Sequence, residues 1–195
     1  MRRIIFISYP NVVVSRDVPV PQWPLSDVGR NRMENALSQP WVSEISAVYC
    51  SFEQKAIDGA KILAEHPSLD FVSVHDLGEN DRSSTGFLPP VEFEKVADEF
   101  FAMPESSVRG WETASNAQIR ITNAVTAIVE SDQSSGTIAI ISHGAVGTLL
   151  YCDLTGEAIS RRWDQPPNNG GNYYIFQTSP KKAFSGWQPI DKVAL

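Results

Sequence analysis

Hydrophobic positions in this chain follow two rhythms. Short runs rich in β-branched residues, without sustained polar alternation, occupy residues 3–8, 45–50, 71–74 and 137–142; this is the pattern of strands covered on both faces and predicts a parallel sheet. Helical spacing fills the gaps. Residues 26–37 open on the capping hydroxyl of Ser26, Phe52, Ala56, Ala60 and Leu63 recur every three or four positions, and residues 115–130 gather Ile121, Ala124, Val125, Ile128 and Val129 on one face. Strand then helix, repeated, predicts a three-layer α/β sandwich with a mostly parallel central sheet. Residues 78–110 break the rhythm: a polar loop from Asp81 to Gly86 leads to Pro89-Pro90, which opens a helix rich in Glu and Phe, and Pro104 closes it. That stretch reads as a helical lid inserted over one edge of the sheet. Past Gly156 the chain is polar and proline-rich through Pro166-Pro167-Asn168-Asn169-Gly170-Gly171, and residues 172–178 read as a late edge strand.

At 195 residues and 42% hydrophobic, the chain suits a single domain over 1–195 with one sizeable core. The net charge of −7, with no basic run longer than the pairs Arg2-Arg3, Arg161-Arg162 and Lys181-Lys182, argues against a nucleic-acid partner. Any bound anion must be gripped locally. Cys50 and Cys152 read as small buried hydrophobes in a reducing, cytoplasmic setting. The start Met1-Arg2-Arg3 imitates the charged region of a signal peptide, but Pro10 interrupts the apolar stretch and the segment reads as a first strand. No apolar run approaches the ~20 residues of a membrane helix, so no membrane partner is expected. His66, His75 and His143 lack H-x-H or H-E-x-x-H spacing, which predicts no metal site, and nothing implies a cofactor.

Ligands of open α/β sheets bind beyond the carboxyl ends of the strands. That rule collects Ser8-Tyr9-Pro10, then Ser51 with Lys55 one helical turn on, His75-Asp76 with Glu79 just beyond, and Ser142-His143-Gly144, where an imidazole stands beside the backbone N–H groups of a helix start.

Segment by segment, this arrangement resembles the phosphoglycerate-mutase-like branch of the histidine phosphatase superfamily. Pro24-Leu25-Ser26-Asp27-Val28-Gly29 is similar to its P-L-[ST]-x-x-G segment, and Cys50-Ser51-Phe52-Glu53-Gln54-Lys55-Ala56 to its S-x-x-x-R-A. Leu77-Gly78-Glu79 resembles the L-x-E that supplies a proton donor in many members. Gly110-Trp111-Glu112-Thr113 is similar to the G-E-S region, Ser142-His143-Gly144 to the second histidine motif, and Asn169-Gly170-Gly171-Asn172 to the N-G-x segment.

The resemblance implies a phosphorylated or anionic small ligand, contacted by Ser8, Tyr9, Ser51, Lys55, His143, Gly144 and, from the loop after the first strand, Arg16. It implies catalytic positions at His143, Glu79 and Tyr9. Yet the family's R-H-G, whose histidine attacks phosphorus, is replaced by Ser8-Tyr9-Pro10, and its second phosphate arginine by Lys55. A tyrosine of pKa about 10 is a poor nucleophile at neutral pH, and a lysine grips phosphate as a point charge rather than a fork. The expectation is therefore a divergent member that binds an anionic ligand without the phosphohistidine route. Two rivals stand beside it: an atypical phosphatase using Tyr9 or an activated water, and a non-catalytic module that binds another protein.

Overall fold

The computed structural model describes residues 2–192. At its centre β1 (Ile4–Ser8) and β4 (Thr137–Ser142) are buried along their whole length and run parallel, from Ile4 opposite Ile138 to Ser8 opposite Ser142. β2 (Ile45–Ser51) pairs in parallel with the other side of β4, and β3 (Phe71–Val74) with β2. β5 (Asn172–Thr178) runs antiparallel beside β1, and β6 (Lys181–Ala183) and β7 (Gln188–Pro189) pair antiparallel with β5. The order is β3-β2-β4-β1-β5-β6, with β7 also against β5. The sheet is thus mixed, parallel through its first four strands. The edge position expected for residues 172–178 is wrong: β5 lies inside the sheet, and its run Tyr173, Tyr174 and Phe176 is buried. The polar segment before it suggested the periphery, but the chain turns back after Thr178 and supplies the neighbours that cover it.

Alternation along the strands builds two apolar layers. Ile4, Phe6, Ile138 and Ile140 face one side, where Phe100 of α3 (Pro90–Ala102), Ile121 of α4 (Ala114–Ser131) and Leu149 of α5 (Gly144–Thr155) pack on them. Ile5, Ile7, Ala139 and Ile141 face the other, against Met33 of α1 (Asp27–Ala36) and Leu63 of α2 (Gln54–Glu65). Each such side chain removed from water contributes about 1.5–3 kcal/mol, so the strand floor is the best-stabilised part of the molecule. The helix starts follow the sequence cues: Ser26 accepts from Gly29 N and Thr113 from Asn116 N. Gly29 is required for a different reason, since a Cβ there would lie 2.1 Å from the Asn11 carbonyl oxygen. Cys50 and Cys152 are buried free thiols. No described helix is long and apolar enough to cross a membrane.

Candidate functional site

Parallel register puts the last residues of β1, β2 and β4 at one end of the sheet, and their polar side chains meet there. His143, which precedes α5, is fully buried. Its Nε2 lies 2.8 Å from Ser51 Oγ and 3.2 Å from Glu53 Oε1, while Nδ1 is buried without a partner. A carboxylate only accepts, so Nε2 carries the proton and Nδ1 is the bare nitrogen; the opposite tautomer would bury an orphaned N–H. Burial holds the imidazole below its ordinary pKa even though Glu53 and Glu79 pull the other way.

Lys55 is equally enclosed, with 1% of its side chain exposed; its ammonium donates to Val20 O at 2.8 Å and pairs with Glu53 Oε2 at 2.5 Å. Burial lowers its pKa, against the pull of Glu53. One carboxylate therefore bridges the Lys55 ammonium and the His143 imidazole. Glu53 also accepts from Glu79 N at 3.1 Å. Burial alone would raise the Glu53 carboxyl, but His143 and Lys55 more than reverse that and hold it well below the usual carboxylate range.

Tyr9 closes the top. Its ring meets the His143 ring edge-on at 5.2 Å and lies 5.3 Å from the Lys55 ammonium. Burial, reinforced by Glu79, pushes its hydroxyl well above the ordinary phenol value, and Arg82 offsets only part of this. Glu79 sits at the start of α5 and accepts from Val146 N at 3.1 Å and Ala145 N at 3.4 Å, filling the place where a helix N-terminus attracts an anion. Arg120 fixes that loop. Its guanidinium takes the carbonyls of Asp76, Gly78 and Glu79 and forks onto both oxygens of Glu112.

Ser8 is tied below this layer. Its Oγ accepts from Asn172 N at 3.0 Å, so its hydrogen goes to Gln165 Oε1 at 2.6 Å. Gln165 in turn lies over Gly144, where a Cβ would come within 2.2 Å of Nε2. Beside Tyr9 and Gly144 a cleft of about 260 Å³ opens to solvent.

Of the residues singled out from sequence, Ser8, Tyr9, Ser51, Lys55, Glu79, His143 and Gly144 converge. Arg16 does not: it is exposed and stacks at 5.5 Å on Phe87. His75 and Asp76 also stay outside, the exposed imidazole stacking on Phe52 at 4.7 Å. Arg161 reaches Glu94 and Asp98 on α3 rather than the crevice, and Arg162 pairs with Glu157. The sequence reading passed over Glu53, Arg82 and Gln165. Glu53 occupies a free position of the S-x-x-x-R-A pattern, and an acid two residues from an enclosed lysine was the available signal. Arg82 rests against Phe93 and Trp111, and its charge is felt at Tyr9, Lys55 and His143; its place three residues after Glu79 was the clue.

The family model described as Histidine phosphatase superfamily (branch 1) matches residues 17–188. The chain belongs to this superfamily. Solved structures of the same fold include Bacillus stearothermophilus YhfR, 19% identical with a TM-score of 0.78 over 100% of this chain and 98% of that one. A mycobacterial glucosyl-3-phosphoglycerate phosphatase, solved with inorganic phosphate, is 16% identical with a TM-score of 0.75 over 98% and 100%. The alpha-ribazole phosphatase of Shigella flexneri is 16% identical with a TM-score of 0.68 over 99% and 98%. At these identities the histidine phosphatase fold is what is shared. No curated protein matches the sequence.

Proposed function

We propose that this chain is a histidine-phosphatase-superfamily member that does not run phosphohistidine chemistry and keeps its crevice as a binding site. One observation carries the reading: Glu53 pairs with the Lys55 ammonium and accepts from the His143 imidazole beneath the ring of Tyr9, so a carboxylate of the chain itself occupies the two groups that the family resemblance assigns to phosphate. Opposite charges about 4 Å apart attract by about 4 kcal/mol at an effective dielectric constant of about 20. An entering phosphoester must displace Glu53 against an attraction of that order or settle against Arg82. The phosphorylated or anionic ligand implied by the resemblance is accordingly held weakly, through Ser51, Lys55 and His143 when Glu53 withdraws.

The rival routes to phosphate release are poorly supported. Burial raises the Tyr9 hydroxyl above a value at which already fewer than about one in a thousand phenols ionise at pH 7. Water activation by His143 requires a free nitrogen facing the crevice; Nε2 is committed to Glu53 and Ser51, and Nδ1 is buried.

Release of phosphate from p-nitrophenyl phosphate and 3-phosphoglycerate between pH 5 and 8 tests the reading, alongside trapping of an acid-labile phosphoenzyme. No phosphoenzyme and no turnover above a heat-denatured control are expected. Turnover on the order of 1 s⁻¹ that disappears in His143→Ala would overturn it.

A further inference from the structure

Lys55 is sealed from solvent, and part of the seal is a loop. Residues 13–22 lie between β1 and α1 over a base that the chain closes on itself: Val12 pairs antiparallel with Leu25, Val13 N donates to Pro24 O at 3.0 Å and Ser26 N to Asn11 O at 3.0 Å. Trp23, at the foot of the loop, is buried, and its indole Nε1 lies 2.9 Å from both the Ser15 and the Val18 carbonyl oxygens. Ends held together, with a side chain of the same segment bonded to its interior carbonyls, are the marks of a compact Ω-loop.

Most of this loop meets solvent: Val13, Val14 and Val18 are exposed, as are Arg16, Asp17 and Pro19. Among the described residues, one hydrogen bond joins residues 14–22 to another element, from Lys55 Nζ to Val20 O at 2.8 Å. A second attachment is Phe87, between β3 and α3, whose ring lies 5.8 Å from that of Trp23 and 5.5 Å from the Arg16 guanidinium. The other surroundings of Lys55 are anchored. Its own helix α2 buries Ala56, Ala60 and Leu63 in the core, and the Tyr9 backbone is bonded to Ser142 O and Gly171 N.

We propose that residues 13–22 are a strap that swings out about the pairing of Val12 with Leu25, and that this local opening is the route to Lys55. When Val20 O leaves Nζ, the ammonium meets solvent, and the cleft of about 260 Å³ that Tyr9, Val12 and Val14 line widens into the crevice. The inference rests on the reading of the crevice as a binding site for an anion and deepens it by naming what controls entry. An anion reaching Lys55 replaces a neutral carbonyl by a charged acceptor, so it binds the open form better and holds the strap away.

Acetylation by sulfo-N-hydroxysuccinimide acetate, read by peptide mass spectrometry, measures the opening as the rate at Lys55 against that at exposed Lys61 on the same helix. Lys55 should react at least about a hundredfold more slowly than Lys61, at a rate that urea below the unfolding transition leaves unmoved, because a local opening exposes little surface. Phe87→Ala removes the ring that meets both Trp23 and Arg16 and should speed Lys55 labelling about tenfold. Arg16→Ala, a change at an exposed position, should speed it about two- to fivefold with Tm unchanged. Lys61 should respond to neither. Equal rates at Lys55 and Lys61 in the wild type, no acceleration in either variant, or a Lys55 rate that climbs steeply with urea would overturn the strap. Inorganic phosphate, compared with chloride at equal ionic strength, tests the underlying reading separately and should slow Lys55 labelling in Phe87→Ala. Labelling indifferent to phosphate while the strap behaves as described would sink the anion site and leave the strap standing.

Discussion

Replacing Glu53 by glutamine removes one negative charge from the centre of the crevice and leaves its outline intact. Lys55 would then be a cation with 1% of its side chain exposed and a single neutral acceptor, Val20 O. Breaking a buried pair by removing one partner costs about 3–5 kcal/mol, because the surviving charge is stranded away from water. For a chain of this length each kcal/mol moves Tm by about 2–4 °C, so Glu53→Gln should lower Tm by roughly 6–20 °C. Burial already lowers the Lys55 pKa. The stranded lysine can escape by losing its proton, and the variant's deficit should shrink as pH rises towards the unfolded value of 10.5. Adding Lys55→Met removes the charge that Glu53 balanced, and replacing a whole buried pair by apolar groups is often neutral or stabilising. The double variant should therefore recover most of the loss. Calorimetry at pH 7 and 9 on wild type, single and double variants measures all of this. A loss under about 1 kcal/mol in Glu53→Gln, or no recovery on adding Lys55→Met, would refute the account of a carboxylate bridging two buried positions.

Other outcomes follow from the same geometry. Burial holds the folded-state pKa of His143 below 6.5, so as pH falls the unfolded chain takes up this proton first; stability is intact above about pH 6.5 and declines below it, and His143→Gln should flatten that limb in urea titrations down to about pH 5. Arg120→Lys cannot reproduce the fork onto Glu112 together with three carbonyl contacts, and should cost about 1–3 kcal/mol, with faster amide exchange confined to residues 76–81. Gly29→Ala drives a methyl group to within 2.1 Å of a backbone oxygen, and should lose about 1–3 kcal/mol by denaturant unfolding even though alanine favours helix.

The strands and helices were legible because burial imposes period on sequence. Ile4–Ser8 and Thr137–Ser142 are covered on both faces and read as unbroken apolar runs, while α4 turns one face to the sheet and shows it. The convergence of Ser8, Ser51 and His143 was legible too, since parallel strands carry their last residues to the same end. What escaped was who pairs with whom. The motif marked Lys55 but said nothing of Glu53, whose position within it is free to vary. Arg82 and Gln165 reach the site from loops, where no period constrains them, and Arg16 found an aromatic partner on Phe87 instead. The place of β5 was misread because the strands on its outer side, β6 and β7, come later in the chain, and their pairing leaves no local trace.

Ser8 and Ser142 stand opposite each other on the two innermost strands, whereas Glu79 and Arg82 belong to the polar segment between β3 and α3. The crevice therefore has a floor and a roof with different lifetimes. Floor amides between β1 and β4 can meet solvent deuterium only when the whole molecule unfolds, while those of the roof need only its carbonyl contacts with Arg120 to part. A ligand in this crevice can therefore slow exchange in the roof by many-fold through local closure, yet slow exchange in the floor only as far as it stabilises the entire fold.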